Sequence, residues 1–519
     1  MKAVFILIAF ACIKMSVVAQ ATIGEFTSIE PQAQGTDFII PSTHIFQKIV
    51  EAGDTLADGN MLMEKNDFTG YVPINGSSTN GYLSVNSELV PGGVSVLDIS
   101  FNTTTNSWER SNGKQIDFTS VVSTAKNCSG TVTPWNTVVS CEETYNTSDL
   151  NNDGYHDWGW CVEIDPVNKV VIDKLWTLGK IKHENIAVHS NLRTVYEGAD
   201  DNVGYLLKFV ADTAQNLHSG LLYVYKGEKN GTGNWLLINN STPAECNTTN
   251  QQCSALGATV FNGIEDVEVG PDGWVYFAVK GENQVYRFID DNPLNGTTVS
   301  VMETFVGNTD YTIDYNGGSK TIAWGNGNDN LAFDNDSNLW VLQDGGNNHI
   351  WVVGKNHTQQ NPDVRVFANT PIGSEPTGIT FSPDNNFLFM SVQSPVPENN
   401  ITFQVDAIGN SIYFNKSITL VIARKENLGL STNNLFITPE IKVQVAPNPF
   451  INNTTLQFSQ TLKYGEIQVH NSVGKLMYQT KLKNVKTHQL SLEQLAKGIY
   501  YISLTTENAS NEAIKIVKL

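Results

Sequence analysis

The sequence is poor in basic residues. Lysine and arginine together number 32 in the 519-residue chain, against 52 aspartates and glutamates, and the formal net charge is −20. A surface of this sign repels the phosphates of nucleic acids and of anionic lipids. The composition therefore argues against nucleic acid and against a charged membrane surface as partners, and it favours divalent cations. A phosphorylated substrate would have to bind beside metal ions, because the field of the protein itself repels it.

Long hydrophobic runs are also missing, apart from the N-terminal segment "MKAVFILIAFACIKMSVVAQ". This segment has a basic residue, a short apolar run and a small-residue end at Val17-Val18-Ala19, which is the pattern of a secretory signal peptide. Its apolar run is too short for a transmembrane helix. We therefore predict a signal peptide over residues 1–19, no transmembrane segment, and a protein that is secreted or held at the cell surface.

Cysteine is scarce as well, with six residues in all and five after the signal peptide. An odd number in an oxidising compartment means that at least one thiol is not paired within the chain. Cys246 and Cys253 flank the polar stretch "NTTNQQ", and we predict a local disulfide between them. Cys128, Cys141 and Cys161 lie near one motif. A disulfide between Cys128 and Cys141 and a metal-binding role for Cys141 both stay open for them.

Helical periodicity is almost absent between residues 70 and 425. Short β-branched and aromatic runs alternate there with Asp, Asn, Gly and Pro, which indicates an all-β fold. Three segments share a strand, a turn with an aspartate (Asp272, Asp336 or Asp384) and a second, aromatic-rich strand. This repetition favours a β-propeller, in which loops from successive blades converge on one end of a central channel. A large double-sheet sandwich is the alternative.

The composition changes after about residue 425. A polar linker over residues 426–440 precedes a compact unit, residues 441–519, whose alternating strands predict a small β-sandwich. The unit contains Pro447-Asn448-Pro449-Phe450, Val473-Gly474-Lys475 and the strand "LAKGIYYISL". With these motifs it resembles the C-terminal sorting domain of bacterial type IX secretion cargo. The resemblance implies export through the type IX secretion machinery.

The motif with the densest group of candidate metal ligands is "NCSGTVTPWNTVVSCEE", in which Cys141 stands directly before Glu142 and Glu143. Carboxylates are ligands for Ca²⁺ and iron, and a thiolate adds affinity for a softer metal. The motif resembles one in PhoX-type alkaline phosphatases. Further segments match that family in the same order along the chain: "GYLSVNSE", "LGKIKHENIAV", "VYEGADDNVGYLLKFV", "GIEDVEV", "DNLAFDNDSNLWVLQDG" and "GSEPTGITFSPDNNFLFMSVQSP".

This resemblance implies a six-bladed β-propeller over residues 20–425, with a cluster of Fe³⁺ and Ca²⁺ at the channel mouth that serves phosphate ester hydrolysis. Cys141 is the implied iron ligand. The other implied metal ligands are oxygen donors of Glu143, Glu184, Glu265, Asp344, Glu375, Glu88, Asp200 and Asn330.

The chain departs from the family pattern at several places near the expected cluster. Ser87, Gly263-Ile264 and Ser394 stand where the family commonly has a histidine, an arginine before Pro-Glu, and a histidine, and Asn136 replaces a glycine. Arginine binds phosphate in a bidentate manner and serine cannot. These losses remove an expected phosphate clamp, so metal binding is the firmer prediction and catalysis the weaker one.

A separate insertion, "DLNNDGYHD", has the alternating oxygen donors of half a calcium loop. Asp149, Asn151, Asp153 and Asp157 surround Gly154, which permits the sharp turn of such a loop. The glutamate that ends an EF-hand loop is missing. We therefore predict a peripheral, structural calcium site, and a solvated turn rich in Asp and Asn is the alternative.

The sequence thus predicts an exported, metal-dependent phosphohydrolase that releases phosphate from small organic phosphoesters. The alternative is a catalytically silent propeller that uses calcium for rigidity and binds a glycan or a protein at the cell surface.

Overall fold

The computed structural model of the chain describes residues 21–429, 443–471, 475–505 and 514–519. The predicted signal peptide, residues 430–440 of the predicted linker, and Val473-Gly474 of the sorting motif lie outside these ranges. Contacts divide the chain into two compact units, Met1–Ser431 and Thr432–Leu519. Each unit is described by itself below.

Unit 1 is built from short antiparallel strands with very little helix. Its two α-helices are α1 (Pro243–Cys246) and α2 (Thr249–Ala255), and its short 3₁₀ turns are Ile74–Gly76, Thr119–Val121, Trp176–Leu178 and Lys280–Glu282. Its strands, in chain order, are β1 (His44–Glu51), β2 (Asn66–Pro73), β3 (Asn80–Ser87), β4 (Gly93–Asn102), β5 (Ser107–Gln115), β6 (Asn127–Val132), β7 (Val138–Glu142), β8 (Cys161–Asp165), β9 (Val170–Lys174), β10 (His183–Val188), β11 (Thr194–Ala199), β12 (Leu206–Thr213), β13 (Asn216–Gly227), β14 (Gly231–Ile238), β15 (Ile264–Val269), β16 (Val275–Val279), β17 (Gln284–Asp290), β18 (Thr298–Gly307), β19 (Asp310–Tyr315), β20 (Gly318–Ala323), β21 (Asn328–Phe333), β22 (Leu339–Gln343), β23 (His349–Val353), β24 (Val364–Asn369), β25 (Glu375–Phe381), β26 (Phe387–Gln393), β27 (Gln404–Val405), β28 (Ser411–Ile412) and β29 (Ile418–Arg424).

These strands form four separate four-stranded sheets, one nine-stranded sheet and the two-stranded sheets β19-β20 and β27-β28 within residues 21–429. The separate sheets have the orders β2-β3-β4-β5, β6-β7-β8-β9, β21-β22-β23-β24 and β1-β29-β26-β25. The nine-stranded sheet runs β10-β11-β12-β13-β14-β18-β17-β16-β15. The expectation of six separate blades is therefore corrected, because β14 pairs with both β13 and β18 and so joins two blade-sized groups.

Six strands, one from each blade-sized group, lie around a common axis. β2, β6, β10, β15, β21 and β25 contact one another in this order, and β25 contacts β2 to close the ring. The ring is held shut by the two ends of the unit, because β1 pairs with β29, between His44–Arg424 and Glu51–Ile418. A closed, radial arrangement leaves few unpaired edges. Unit 1 is all-β and β-propeller-like.

The repeated turns seen in the sequence join the first two strands of three sheets. Asp272, in the turn between β15 and β16, accepts hydrogen bonds from the Trp274 backbone N–H (3.2 Å) and the Tyr276 hydroxyl (2.7 Å). Asp384 plays a similar role between β25 and β26, where it accepts from the Ser382 hydroxyl at 2.7 Å. Between β21 and β22 it is Asp334, not Asp336, that accepts from the Trp340 indole at 2.9 Å.

The core consists of apolar layers between neighbouring sheets. Trp340 is fully buried between the sheet β21–β24 and the sheet β1-β29-β26-β25, which we call the closing sheet, and Phe367, Leu388 and Leu420 pack there as well. A second layer between the closing sheet and β2–β5 stacks Tyr71 on Phe389, with ring centroids 4.9 Å apart. Burying one such side chain stabilises the fold by about 1.5–3 kcal/mol. These layers fix the sheets radially, so the strand ends come to fixed positions around the axis.

Unit 2 is a five-stranded sheet in its described residues. Its strands are β30 (Val443–Ala446), β31 (Asn453–Asn471), β32 (Leu476–Ser491), β33 (Gly498–Thr505) and β34 (Ile514–Lys518). They are ordered β30-β31-β33-β34, with β32 on β31, in one hydrogen-bonded sheet. The small β-sandwich stays a prediction. A register shift between Gln457 and Leu462 interrupts the long β31–β32 pair. Such irregularities bend strands, and both halves of β31 contribute to one core that also holds Phe450 and Ile502.

No helix in the described ranges has the length and apolarity needed to cross a membrane.

Glu142, next to the thiol that the sequence singled out, is a structural residue. It is fully buried at the end of β7, where Lys174 pairs with it at 3.3 Å. The backbone N–H groups of Gly159 (2.8 Å), Trp160 (3.0 Å) and Ala125 (3.1 Å) donate to the same carboxylate. A buried charge that loses its partner destabilises a fold strongly.

Replacement of Glu142 by alanine is expected to lower the free energy of unfolding by about 3–5 kcal/mol, because Lys174 would be left buried without a counter-charge. Urea unfolding followed by fluorescence measures this. The matched control is Glu426→Ala, since Glu426 pairs with Arg424 at 2.6 Å but its side chain is 49% exposed; a change of about 0–1 kcal/mol is expected there. Equal losses in the two variants would contradict the structural role of Glu142.

Candidate metal centre

Six strands around the axis each carry a metal-type ligand at or next to their start. Asp67, Cys128, Glu184, Glu265 and Asp329 are the second residues of β2, β6, β10, β15 and β21, and Glu375 is the first residue of β25. Because these strands surround one axis, their starts meet at one end of the ring. We call these six residues the inner set.

A second set of side chains follows from hairpin geometry. In an antiparallel hairpin, the start of the first strand and the end of the second lie at the same end. The residues directly after the second strands β3, β7, β11, β16, β22 and β26 therefore belong to the same end of the ring; they are Glu88, Glu143, Asp200, Lys280, Asp344 and Ser394. We call them the outer set. The sixfold repetition places nine carboxyl groups, one thiol and one ammonium group around the axis.

A pairing irregularity lies at or near every inner-set residue. The register between first and second strand shifts between Asn66 and Thr69, and the five other first strands show the same feature. The others are Asn127/Gly130, His183/Ile186, Ile264/Asp266, Asn328/Leu331 and Thr377/Ile379. A bulge frees one or two residues from the ladder and turns their side chains. Except for Glu375, each inner-set residue lies within such an interval, which explains why it turns toward the axis.

Three overlapping triads show how close the ligand atoms are. Within each triad the atoms lie within 4.8 Å of one another, and shared members join the triads into one chain: Asp67, Glu88 and Cys128; Cys128, Glu143 and Glu184; Glu184, Asp200 and Glu265. The Cys128 thiol donates to Asp67 Oδ2 at 3.4 Å, and Gln393 Nε2 donates to the same oxygen at 2.9 Å. The geometry is that of a multi-ligand cluster rather than of scattered surface acids.

Two lysines offset part of this negative charge. Lys126 Nζ lies 2.9 Å from Glu88 Oε1 and 3.2 Å from Glu143 Oε2. Lys280 Nζ lies 3.1 Å from Glu265 Oε1 and 3.3 Å from Asp344 Oδ2. Both lysine side chains are 37% exposed. They therefore lie on the rim of the cluster and face solvent as well as carboxylates.

The remaining carboxyl groups repel one another and are poorly solvated. Burial, followed by the charge of Glu88, raises the pKa of Asp67 to about 8. Burial and the neighbouring Asp344 raise the pKa of Glu375 to about 11. Burial and nearby carboxylates also raise the pKa values of Glu184, Glu265 and Asp329 well above the usual range. Without cations, several of these groups hold protons at neutral pH.

Asp344 behaves differently from the rest. Burial acts to raise its pKa, but the hydrogen bond from Glu375 and the charge of Lys280 hold that pKa below its usual value. Asp344 is therefore the charged partner and Glu375 the protonated partner of a coupled pair at the rim.

The donor set fits bound cations. Glu184 is 2% exposed, and its Oε2 has no hydrogen-bond partner. A buried carboxylate oxygen of this kind is costly unless a cation or a donor meets it. Nine carboxylates suit hard cations, which take oxygen ligands, and the Cys128 thiolate adds a ligand for a transition metal.

The structure brings together seven of the nine residues that the sequence assigned to the cluster: Glu88, Glu143, Glu184, Asp200, Glu265, Asp344 and Glu375. Asn330 is adjacent, but its Oδ1 accepts from the Gly378 N–H at 2.5 Å and its Nδ2 donates to Asp329 Oδ1 at 3.0 Å. The neighbouring Asp329 takes the expected place. Asp67, Cys128, Asp329, Lys126 and Lys280 were not assigned, although the strand-start pattern would have found the first three.

Cys141 is not in the cluster, which corrects its assignment as the iron ligand. It lies in the apolar core with Val139 and Leu178, is fully buried, and its Sγ faces Cys161 Sγ at 3.5 Å. The reason is the end of β7: the strand pairs up to Glu142, and Glu143 is the first residue that is free to turn toward the axis. Cys128, on β6, supplies the thiol instead.

The predicted disulfide between Cys246 and Cys253 is not present, because all five described cysteines are free. Cys246 ends α1 and its thiol donates to the Asn240 carbonyl at 3.4 Å, whereas Cys253 is buried within α2 in the apolar core. The stretch between them folds into helix rather than into the open loop that a local disulfide would close. Cys128 and Cys141 are not paired either.

The Asp-rich insertion folds into a hydrogen-bonded turn. Asp149 accepts from the N–H groups of Asp153 (3.1 Å) and Gly154 (3.0 Å), and Asp157 Oδ1 accepts from Leu150 N–H at 3.1 Å. Asn151 Nδ2 donates to Asp153 Oδ2 at 2.9 Å. Among the described residues, these carboxylates do not form a triad of closely spaced ligand atoms. The peripheral calcium site stays a prediction.

Together, the fold and the cluster define a class of protein: an all-β, β-propeller-like chain with a candidate metal centre at one end of its ring. The family described as alkaline phosphatase PhoX matches residues 101–396, more than half of the chain. The chain therefore belongs to the PhoX family of alkaline phosphatases. Residues 444–518 match the secretion system C-terminal sorting domain, which implies secretion to the cell surface or beyond it.

Solved structures support the fold. Pseudomonas fluorescens PhoX, in complex with vanadate as a transition state analogue, is 21% identical with a TM-score of 0.62, and the match covers 78% of this chain and 99% of that chain. Virginiamycin B lyase from Staphylococcus aureus is 11% identical with a TM-score of 0.35 over 73% of this chain and 99% of that chain; so low a likeness supports no inference. A search of curated proteins found no match.

The raised pKa values give a pH dependence that can be measured. A carboxyl group whose pKa is higher in the folded than in the unfolded state binds more protons when folded, so the free energy of unfolding falls as pH rises through that interval. For Asp67 the interval runs from about 4, the ordinary carboxyl value, to about 8. Chelator-treated protein is therefore expected to lose thermal stability steadily between about pH 5 and 8, as measured by calorimetry.

Added Ca²⁺ is expected to reduce or abolish this fall, because a bound cation favours the ionised carboxylates. A metal-free protein whose unfolding midpoint stayed constant or rose between about pH 5 and 8 would show that the acidic cluster does not control the stability of the ring.

Proposed function

We propose that this chain is an exported, metal-dependent phosphohydrolase that releases phosphate from small organic phosphoesters. The observation that carries the proposal is the repeated placement of carboxylates and one thiol at the strand ends of a chain that belongs to the PhoX family. The vanadate complex of the Pseudomonas fluorescens protein adds support, since vanadate stands there for a transition state.

We propose that six blade-sized groups of strands act around the ring, two of them joined in one nine-stranded sheet. The two halves of the nine-stranded sheet, β10–β13 and β15–β18, each supply one inner-set and one outer-set residue, as the four separate sheets do. β14 then serves as a bridge between two blades. This count assigns one functional pair to each blade, from Asp67 and Glu88 in the first to Glu375 and Ser394 in the last.

We assign iron to the part of the cluster that contains the thiol, and calcium to the part that has only oxygen donors. Cys128 shares triads with Asp67, Glu88, Glu143 and Glu184, and a thiolate favours a transition metal over Ca²⁺. The oxygen-only part consists of Asp200, Glu265, Asp329, Asp344 and Glu375. When bound, Fe³⁺ and Ca²⁺ offset the charge of phosphoryl oxygens and lower the pKa of a water molecule.

The side chains of the chain itself bind and orient the substrate. Lys126 and Lys280 are the ammonium groups at the rim, and each is held by two carboxylates with room toward solvent. They replace the basic groups that the family pattern has near Ser87, Gly263 and Ser394. At Gly263 the φ angle is +75°, and a Cβ would come within 2.8 Å of Asp200 Oδ1. A larger residue there would need a different backbone, so the charge is supplied by Lys280 instead.

A calcium-stabilised propeller without catalytic activity remains the second candidate. The observation that favours it is Ser394, which is exposed at the outer-set position of the last sheet and carries no charge. Such a protein would bind a glycan or a protein partner at the cell surface and would need calcium only.

Metal content and hydrolysis separate the two candidates. In the purified chain we expect iron together with calcium, and turnover of an aryl phosphate. Cys128→Ser is expected to lose the iron and at least about 100-fold in kcat/KM, because removal of one metal ligand weakens both affinity and activity. Elemental analysis and a colorimetric phosphatase assay on the same samples measure both.

The matched control is Cys253→Ser, a buried thiol in α2 away from the cluster, which is expected to retain iron and activity. Calcium without iron, and no turnover in the wild type, would contradict the enzyme proposal and support the silent propeller. Iron that survives in Cys128→Ser would contradict the ligand assignment alone.

Lys280→Ala is expected to lower kcat/KM by roughly 10–100-fold, mainly through a higher KM. A hydrogen bond to a charged group contributes about 1.5–3 kcal/mol, and about 1.4 kcal/mol corresponds to a factor of ten. The matched control is Lys182→Ala, because Lys182 pairs with Asp201 at 3.6 Å beside the cluster and has a similar exposure of 34%. If both substitutions lowered kcat/KM equally, Lys280 would contribute only its positive charge and would not contact the substrate directly.

A further inference from the structure

Cys141 and Cys161 form a close pair of thiols that the metal cluster does not use. Their Sγ atoms lie 3.5 Å apart, and both side chains are fully buried in the core beneath β10–β13. The two cysteines are directly opposite each other on the neighbouring strands β7 and β8. Neither thiol has a role in the proposed chemistry, so their proximity calls for its own explanation.

The hydrogen bonds between β7 and β8 define the backbone geometry of the pair. The Glu142 N–H donates to the Trp160 carbonyl at 3.1 Å, so a ladder hydrogen bond lies at residues 142 and 160. The next pair along an antiparallel ladder, here Cys141 and Cys161, is then a non-hydrogen-bonded one, in which the Cα atoms approach to about 4.5 Å. This separation falls within the range of about 4.4–6.8 Å that a disulfide spans.

We propose that Cys141 and Cys161 form a disulfide bond in the exported protein. The proposal rests on export, which the sorting domain at residues 444–518 implies, because disulfides form and persist in oxidising compartments such as the periplasm. One S–S bond forms and two S–H bonds break. The two electrons and two protons reduce the disulfide of a thiol-oxidising protein to its dithiol form.

The bond would join the two ends of the long loop between β7 and β8. β7 ends at Glu142 and β8 begins at Cys161, and the Asp-rich insertion lies between them. Glu143, which belongs to the outer set, is the first residue of this loop. A covalent link at its base restricts the unfolded chain and holds the strand that presents Glu143 to the cluster.

A buried metal site at the same place is the competing interpretation. Ligand atoms of Cys161, His183 and Glu197 lie within 4.8 Å of one another. However, the His183 ring already contacts Glu197 Oε2 at 3.0 Å through Nδ1 and the Gly179 carbonyl at 2.9 Å through Nε2. The Cys141 thiol is not a member of this group of ligand atoms, and it lies 3.5 Å from the Cys161 thiol. The pair of opposite thiols therefore favours a disulfide.

Peptide mapping of the full chain tests the proposal directly. Protein produced in the periplasm of an expression host is denatured without reductant, its free thiols are alkylated, and it is digested with a protease that cuts after glutamate, since Glu142 and Glu143 separate the two cysteines. We expect the peptides of Cys141 and Cys161 to be joined, with a mass lower by two hydrogens than the sum of the two, and to separate on reduction. Cys128, Cys246 and Cys253 are expected to be alkylated.

Alkylation of both Cys141 and Cys161, or a link from either one to a different cysteine, would overturn the proposal. Stoichiometric zinc, together with thiols that react only after chelation, would also overturn it and would assign the place to a metal instead. These readouts do not depend on phosphatase activity, so they stand whether or not the proposed function holds.

Thermal unfolding supplies a second, independent test. Chain produced in the reducing cytoplasm is expected to unfold several degrees below chain produced in the periplasm, because the cross-link is missing. The double variant Cys141→Ser/Cys161→Ser is expected to show no such difference between the two sources, whereas the matched control Cys253→Ser, buried in the same core, is expected to keep it. A difference that persists in the double variant would contradict the proposal, and peptide mapping of the wild type remains decisive if the double variant does not fold.

Discussion

Repulsion between carboxylates at one end of the ring is the constraint on which the rest of the structure depends. Nine carboxyl groups meet there, and the counter-charges among the described residues are Lys126, Lys280 and, 3.9 Å from Glu88, Lys65. Like charges at such distances cannot all remain ionised in a buried site, which is why Asp67 and Glu375 are displaced far from their ordinary pKa values. The fold supplies the rigidity that holds them together, and cations supply the compensation.

The fold achieves this rigidity through repetition. Each first strand begins next to the axis, each second strand ends there, and bulges at or near the start of the first strands turn the side chains inward. Apolar layers such as those around Trp340 and Tyr71 fix the sheets at a distance from the polar end. Stability and function are thus separated along the strands, so one ligand can be exchanged at a strand end without repacking the core.

The sequence predicted the all-β class, the sorting domain and most of the acidic residues, because these depend on local pattern and on motifs. The sequence assigned the thiol ligand to the wrong cysteine. Cys141 adjoins two glutamates in the chain, but β7 continues to Glu142 and keeps Cys141 in the core, whereas Cys128 reaches the axis from another strand. Asp329 and Asn330 show the same limit, since which of two neighbours faces the axis depends on a bulge. The helices around Cys246 and Cys253 lie in a stretch too short for periodicity to reveal.

The pairing of β1 with β29 bears on the order in which the molecule is made. The strand that completes the last sheet is synthesised before the other described strands, and its partner follows only near the end of unit 1. Contacts between such distant parts of a chain form slowly. Until then β1 presents an unpaired edge, which favours aggregation. The six strand starts can enclose cations only once this pairing has closed the ring.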